Sequence, residues 1–288
     1  MMRVTNRIVP LALVVAFVGG PTVVSGAEAT PPAGGPGAAP AATKPPGYER
    51  SPDQLRPVEV VSAQGVVVSG SEQASKAGAA VLGAGGNAVD AAVATAFALG
   101  VTEPMTSGLG AETFILIHGA DGKTHAIDGS CYVPALARPD ELQRLRVAAE
   151  RNYLLGYKSI AVPGSLAALA YAIERHGTKS LAEVLAPAID LAEFGYSLSA
   201  TGHGEVEGLA SYMRPHEHLA DLFLKDFTDT WGPGHVFCAS DLANTLRRIA
   251  EFGPAEFYRG AIANEIDADM TRNGGYMRKA DLVAVRAV

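Results

Sequence analysis

The chain has 288 residues, a formal net charge of −7, and 48% hydrophobic residues. This mildly acidic balance, without a basic patch, argues against nucleic acid as a partner, because nucleic acids are bound through clustered Lys and Arg. The two cysteines, Cys131 and Cys238, allow at most one disulfide, and the sequence leaves open whether they pair.

The first 27 residues have the features of an export signal. Arg3 and Arg7 precede a short apolar run over residues 8–18, and residues 25–27 form a small-residue cleavage site. The apolar run is short and interrupted, so an uncleaved membrane anchor is the weaker alternative. We therefore expect a signal peptide over residues 1–27 and an exported protein that is periplasmic, extracellular or at the cell surface. No membrane span should remain after cleavage.

Residues 28–57 are rich in Pro, Ala and Gly and include eight prolines. Such a segment cannot bury enough apolar surface to offset its chain entropy, so we predict a disordered tether. The remaining residues, 58–288, are about 230 in number and suffice for one sizeable core.

The globular part begins with two predicted helices. A β-branched run predicts a short strand over residues 65–69, followed by a helix over 72–82. Gly85 and Gly86 suit a left-handed helix end. Asn87 can then cap an Ala-rich second helix, with Asp90 in its first turn, where the helix dipole favours an anion.

A hairpin and further helices follow. Strands are predicted over 113–118 and 124–128, joined by an Ala-Asp-Gly turn at 120–122. Helices are predicted over 165–176, 181–193, 240–251 and 255–270, with Ser165 and Ser240 as caps. Early strands surrounded by many helices predict a layered α/β (α+β) fold.

Several sequence blocks carry a family resemblance, in the order 85–93, 98–104, 107–110, 159–164, 185–192, 241–250 and 253–260. The series resembles the N-terminal, large-subunit part of gamma-glutamyltranspeptidases (gamma-glutamyltransferases, glutathione hydrolases) over roughly residues 58–288. The resemblance implies a partial αββα sandwich of the N-terminal-nucleophile hydrolase type. It also implies acyl transfer from a gamma-glutamyl amide such as glutathione to water or an amine, with no cofactor.

The nucleophile of the resembled family is a threonine in a Thr-Thr-His motif. It becomes the first residue of the small subunit when the precursor cuts itself, and its free amine can act as the base. The nearest string here, Thr124-His125, is interpreted as an ordinary strand pair. The resemblance thus implies that this chain holds no catalytic residue and is inactive alone. The nucleophile is then expected on a separate small-subunit-like chain or in a C-terminal region beyond a truncated large-subunit part.

Asp128, Ser130, Cys131 and Tyr132 are the predicted substrate-binding residues. The resembled family grips the glutamyl carboxylate with an arginine in an Asp-x-Arg-Glu-x-Ala-Pro stretch, because a guanidinium can bind a carboxylate with two parallel hydrogen bonds. Here Ser130 and Cys131 stand where the arginine and glutamate would be. In transpeptidase-like relatives the arginine comes two places later, which is Tyr132 here. Recognition of a free glutamyl carboxylate is therefore expected to be impaired.

Other interpretations stay open. The chain is alternatively a degenerate, non-catalytic binding or structural module, or part of a related acylase with another acyl specificity. Glu112 faces the pocket or merely begins a strand. A polar segment lacks the spacing of a zinc signature, so we expect a solvated loop and no metal there. Its candidate ligands are His203, His216, His218, His235 and Cys238.

Overall fold

The computed structural model describes residues 14–17, 60–140, 156–226 and 228–287. The chain divides into two units, Gly20–Val66 and a larger one made of Met1–Gly19 and Val67–Val288. The predicted signal peptide and tether lie outside the described residues, apart from 14–17. The predicted strand over 65–69 is wrong: this segment is irregular, Gly65 has a φ of 130°, and Val68 is 83% exposed. A β-branched run forms a strand only when another strand pairs with it.

A three-stranded antiparallel sheet lies in the larger unit, in the order β1 (Val14–Phe17), β2 (Thr113–His118) and β3 (Thr124–Gly129). Strands β2 and β3 form the predicted hairpin. Its turn is closed by Gly119 N–H donating to the Lys123 carbonyl at 2.8 Å, with Gly122 at a φ of 78°. Along β2 the residues alternate between buried and exposed, so one face of the sheet lies in the core.

Two helices connected by a tight turn precede this hairpin. Helix α1 (Glu72–Gly83) begins at the N-cap Ser71, and α2 (Ala88–Thr102) begins at Asn87. The predicted cap is confirmed as a capping box: Asn87 Oδ1 accepts from Asp90 N–H at 3.0 Å, and Asp90 Oδ2 accepts from Asn87 N–H at 2.7 Å. Gly85 is left-handed at a φ of 83°, whereas Gly86 is not.

The next two helices are α3 (Ser165–His176) and α4 (Leu181–Phe194), as predicted. Helix α3 packs beneath the sheet, where Leu166 and Leu169 join Ile115, Ile117 and Ile127 in one core. Helix α4 packs against α2. The predicted cap Ser165 is instead the first helical residue, because Gly164 is the N-cap.

A subdomain of short elements follows α4. Strand β4 (Tyr196–Ser197) pairs with β7 (Val236–Phe237), and β5 (Leu224–Lys225) pairs with β6 (Asp229–Thr230), all antiparallel. Helices α5 (Ala200–Met213) and α6 (Glu217–Phe223) lie between β4 and β5 in the chain. Phe223, Phe237 and Tyr196 pack their rings together, which closes the apolar centre of this region.

Four helices complete the described chain: α7 (Ser240–Phe252), α8 (Ala255–Tyr258), α9 (Ala261–Arg272) and α10 (Lys279–Ala284). A 3₁₀ turn covers Tyr157–Ser159. The predicted helix over 255–270 is wrong as one element, since Arg259 and Gly260 leave the helical conformation between α8 and α9. The predicted cap Ser240 is the first helical residue, after Ala239.

Candidate functional site

Asp128, the first of the predicted substrate-binding residues, is the second-to-last residue of β3 and is exposed. Its Oδ1 accepts from the Ser130 hydroxyl at 2.5 Å and from the Ser130 N–H at 2.8 Å. The hydroxyl, and then the backbone N–H, lower the pKa of Asp128, so the carboxylate is charged at neutral pH. The structure therefore brings Asp128 and Ser130 into direct contact, with the side-chain oxygen Oδ2 making no protein hydrogen bond among the described residues.

Cys131 is half-buried behind this pair. Burial raises the pKa of its thiol, opposed by the Gly164 backbone and reinforced by the charge of Glu112. The thiol is therefore protonated at neutral pH and is a weak nucleophile. Glu112 is half-buried just before β2, and its negative charge is close enough to disfavour the thiolate form of Cys131. Cys131 and Cys238 are both free, which answers the open question of their pairing in this structure.

Tyr132 is held from two sides. Its N–H donates to the Val162 carbonyl at 3.0 Å, and its carbonyl accepts from Val162 N–H at 2.8 Å. Its hydroxyl donates to the Arg286 carbonyl at 3.3 Å. The stretch 128–132 is thus clamped to the segment before α3 and to the chain after α10. The substrate-binding role of these four residues stays a prediction.

Residues 162–165 pack against the stretch 128–132. They are not among the residues that the sequence predicts for the site. A Cβ at Gly164 would overlap the carbonyl oxygens of Gly129 and Ser130, so only glycine permits this approach. Ser165 Oγ and Thr113 Oγ1, both buried, lie 2.6 Å apart, and Ser165 N–H donates to the Ala111 carbonyl at 3.0 Å. The sequence feature that could have indicated this close approach is the Pro163-Gly164 pair just before the helix.

Tyr258 of α8 fixes the same segment. Its hydroxyl donates to the Pro163 carbonyl at 3.1 Å and accepts from Ala167 N–H at 3.1 Å. Burial raises the pKa of Tyr258, so the hydroxyl keeps its proton. The sequence contained no signal for this contact, which joins residues 95 positions apart.

A cavity lies beside Thr113 and Ser165, where the glycine turn after α2 meets α3. Gly108 has a φ of 142°, and a Cβ at Gly100 would lie 2.9 Å from Gly108 Cα. The other lining residues are mostly apolar and include Phe97, Leu109, Leu169 and Leu246. Glu112 does not line this cavity, and the interpretation that it faces the substrate pocket stays a prediction.

The arginines closest in sequence or contact to the stretch 128–132 are engaged elsewhere. Arg138 Nε lies 3.5 Å from Asp140 Oδ1, and both side chains are exposed. The Arg286 guanidinium donates to the carbonyls of Val283 and Val285 at 2.8 and 2.6 Å, at the end of α10. Both guanidinium groups therefore have partners outside the stretch 128–132.

The exposed sheet face and the predicted site coincide. Phe114 lies opposite Asp128, and Leu116 lies opposite Ala126, in the β2–β3 register. Directly opposite residues share a face. Phe114 and Leu116 are 45% and 48% exposed, so Asp128 stands at the edge of an apolar surface open to solvent in the described part of the chain.

Two further structural points concern metals and membranes. Among the described residues, no three His, Cys, Asp or Glu side chains form a group that could bind a metal ion. His203 Nδ1 lies 2.8 Å from the Trp231 carbonyl, and the His235 ring stacks on Trp231 at 3.9 Å. No helix within the described ranges is long and apolar enough to cross a membrane.

Comparison with known proteins gives consistent matches. The family model Gamma-glutamyltranspeptidase matches residues 74–288. The chain is 36% identical over 243 residues to the Glutathione hydrolase proenzyme of Escherichia coli K12, covering 84% of this chain and 41% of that protein. It is 38% identical over 226 residues to the Acylase ACY 1 proenzyme of Pseudomonas sp. V22, covering 76% of this chain and 40% of that protein.

Among solved structures, the Helicobacter pylori gamma-glutamyltranspeptidase superposes with a TM-score of 0.75 at 33% identity. The superposition covers 81% of this chain and 66% of that one. The predicted fold class is therefore confirmed. The chain spans about 40% of the length of the two relatives named above.

Proposed function

Because this chain belongs to the gamma-glutamyltranspeptidase family, we propose that it supplies the large-subunit part of an acyl-transferring hydrolase. The substrate class is a gamma-glutamyl amide such as glutathione, and the acyl group passes to water or an amine. The observation that supports this assignment best is the position of the stretch 128–132, which leaves β3 at the edge of the open sheet face.

Under this proposal the nucleophile is a threonine of a small-subunit part, because the 288 residues contain no Thr-Thr-His motif. Its hydroxyl oxygen attacks the amide carbonyl carbon, its own free amine takes the hydroxyl proton, and the amine of the substrate leaves with a proton. Water or an acceptor amine then releases the acyl group from the threonine. The exposed Phe114 and Leu116 provide an apolar surface for that second part to cover.

Asp128 and the missing arginine determine which acyl group fits. The charged Asp128 can accept hydrogen bonds from the α-ammonium group of a glutamyl substrate. Among the described residues, neither the Arg138 nor the Arg286 guanidinium is free to bind an α-carboxylate there, since both are engaged elsewhere. This favours a second candidate function, an acylase for acyl groups without a free α-carboxylate, and the 38% identity to Acylase ACY 1 proenzyme is consistent with it.

The activity is tested with two chromogenic amides. The 288-residue chain alone should release no nitroaniline from gamma-glutamyl-p-nitroanilide. Co-expressed with the small-subunit part of the Escherichia coli relative, it should become active, and 4-aminobutyryl-p-nitroanilide, which keeps the amine but lacks the α-carboxylate, should distinguish the acylase. Clear release by the chain alone would contradict the assignment of the nucleophile to another part.

An arginine added at the site tests the specificity argument in the co-expressed pair. Ser130→Arg should raise the preference for the gamma-glutamyl over the 4-aminobutyryl amide by about tenfold or more, because only the gamma-glutamyl group has a carboxylate that can form a charge-assisted pair with the new guanidinium. Leu136→Arg adds the same charge at an exposed position beyond the stretch and should leave the preference unchanged. An equal effect of both variants would show that only net charge matters.

A further inference from the structure

Helix α3 begins at a glycine, which has no side chain to cap it. The first N–H groups of a helix have no partner within the helix, and the N-cap Gly164 supplies no side-chain acceptor for them. Ser, Thr, Asp or Asn usually supplies that acceptor. A Cβ at Gly164 would overlap the carbonyl oxygens of Gly129 and Ser130. The close approach of α3 to the stretch 128–132 therefore excludes an ordinary cap.

The Tyr258 hydroxyl takes the place of this cap. It accepts from Ala167 N–H at 3.1 Å, although the two residues are 91 positions apart in the chain. Ala167 is the third residue of α3, and a capping side chain normally binds the N–H at this position. The hydroxyl also donates to the carbonyl of Pro163, just before the N-cap, at 3.1 Å. One phenol thus bonds to the chain on both sides of Gly164.

Tyr258 is itself fixed in the fold. Its side chain is buried, and its helix α8 is attached to α7 by an ion pair in which Arg248 Nη2 lies 2.5 Å from Glu256 Oε1. Burial raises the pKa of Tyr258, with the Ala167 N–H opposing the effect. The hydroxyl therefore keeps its proton at neutral pH and can donate to Pro163 while it accepts from Ala167.

The segment that Tyr258 fixes is the one that contacts the predicted substrate-binding stretch. Val162 and Tyr132 exchange two backbone hydrogen bonds, at 3.0 and 2.8 Å. Gly164 packs on the carbonyls of Gly129 and Ser130, and its backbone also hydrogen-bonds to the Cys131 thiol. Most of these contacts are between backbone atoms, which cannot rotate away as a side chain can. A shift of residues 162–164 would therefore move residues 130–132 as well.

We propose that Tyr258 is a positioning residue, which holds the stretch 128–132 in its substrate-binding position by capping α3 from a distant part of the chain. The identity of the substrate rests on the proposed function, whereas the positioning is a property of the 288-residue chain. The proposal also gives a role to the block 253–260, which contributes to the family resemblance. This block ends α7 at Gly253, with a φ of 77°, and brings Tyr258 to the start of α3.

The reactivity of Cys131 tests the positioning in the 288-residue protein. In a Cys238→Ser background Cys131 is the one remaining cysteine, so its alkylation by iodoacetamide reports access to the stretch. Tyr258→Phe deletes only the hydroxyl and should raise the alkylation rate severalfold, because the cap is lost. Tyr196→Phe is the matched control, since Tyr196 is equally buried at 7% exposure but lies in β4. An unchanged rate in Tyr258→Phe, or an equal rise in Tyr196→Phe, would overturn the proposal.

Hydrogen exchange tests the cap without relying on a substitution. In the wild type, Ala167 N–H should exchange at least about tenfold more slowly than in an unfolded chain, because its acceptor is fixed. Fast exchange of this amide would overturn the proposal even if Tyr258→Phe did not fold. In folded Tyr258→Phe the protection of Ala167 should fall severalfold. The protection of Glu183 N–H, which Ser180 Oγ caps at 3.2 Å, should stay the same.

Steady-state kinetics of the co-expressed pair tests the consequence for the substrate. Tyr258→Phe should raise the KM for gamma-glutamyl-p-nitroanilide severalfold and leave kcat nearly unchanged, because the stretch binds the substrate but holds no nucleophile. A fall in kcat at unchanged KM would contradict the positioning role. An inactive wild-type pair would count against the proposed function, and the alkylation and exchange rates would still decide the role of Tyr258.

Discussion

Asp90 connects parts of the chain that are far apart in sequence. It is fully buried, and its carboxylate accepts from Asn87 N–H at 2.7 Å, from the Thr178 hydroxyl at 2.6 Å, and from Lys179 N–H at 3.1 Å. Burial opposes its charge, but these hydrogen bonds, led by the Thr178 hydroxyl, outweigh that effect and lower the pKa of Asp90. The side chain therefore joins the start of α2 to the loop before α4.

Replacing this carboxylate should destabilise the fold. Asp90→Ala leaves several buried donors without an acceptor, so we expect the free energy of unfolding at pH 7 to fall by about 3 kcal/mol or more. The pKa of Asp90 is lower in the folded state, so its contribution is present above the unfolded value of about 4 and is lost as pH falls below it. The test is urea unfolding of both proteins at pH 7 and below pH 4. The difference in the free energy of unfolding between Asp90→Ala and the wild type should be smaller in acid.

Asp190→Ala is the matched control for this prediction. Asp190 lies on α4 and is exposed, so its replacement should change the free energy of unfolding by no more than about 0.5 kcal/mol. Equal effects of the two substitutions would mean that the hydrogen bonds to Asp90 add nothing to stability beyond those of a surface carboxylate.

The contact between the end of β3 and the start of α3 is the element-scale feature that positions the site. Gly129 has Ala168 Cβ 2.5 Å from where its own Cβ would be, and Thr113 O at 2.8 Å. A Cβ at Gly164, on the helix side of the contact, would likewise overlap the carbonyl oxygens of Gly129 and Ser130. Two glycines thus let a strand end and a helix start approach backbone to backbone, and this approach fixes where Ser130 and Cys131 lie.

Gly164→Ala should disturb this contact. The added methyl group overlaps backbone carbonyl oxygens that cannot rotate away, so we expect a loss of about 1–3 kcal/mol in the free energy of unfolding, measured by urea denaturation. Gly208→Ala, within α5, has nothing near its Cβ and should stabilise by about 0.5–1 kcal/mol through helix propensity. If Gly164→Ala were as stable as the wild type, the close approach would be relaxed in solution.

Local features of the fold could be predicted from sequence, whereas contacts between distant residues could not. The capping box at Asn87 and the β2–β3 hairpin depend on neighbours within a few residues. Ser165 was predicted as a cap, but its hydroxyl bonds to Thr113, 52 positions away. The Asp128–Ser130 contact is local, while the Tyr132–Val162 bridge depends on how α3 packs against the sheet.

At the scale of the whole molecule, one face of the sheet packs on helices and the other is open in the described part of the chain. Ile115, Ile117 and Ile127 are buried on the inner face. Phe114 and Leu116 project from the outer face. Apolar groups on a sheet surface favour association with a second surface. The outer face is therefore where the proposed small-subunit part should dock, next to Asp128.

A charged residue on this face should weaken assembly with the small-subunit part and leave the stability of the isolated chain nearly unchanged. Leu116→Asp places a carboxylate where the side chain is already half exposed, so the isolated chain should unfold within about 0.5 kcal/mol of the wild type. Assembly with the small-subunit part of the Escherichia coli relative, measured by analytical ultracentrifugation, should weaken by about tenfold or more, because a docked carboxylate would be buried unpaired. Phe252→Asp makes the same kind of change at an exposed residue ending α7 and should leave assembly intact. Full assembly of Leu116→Asp would exclude the outer sheet face as the docking surface, whereas loss of assembly in both variants would indicate a non-specific effect of charge.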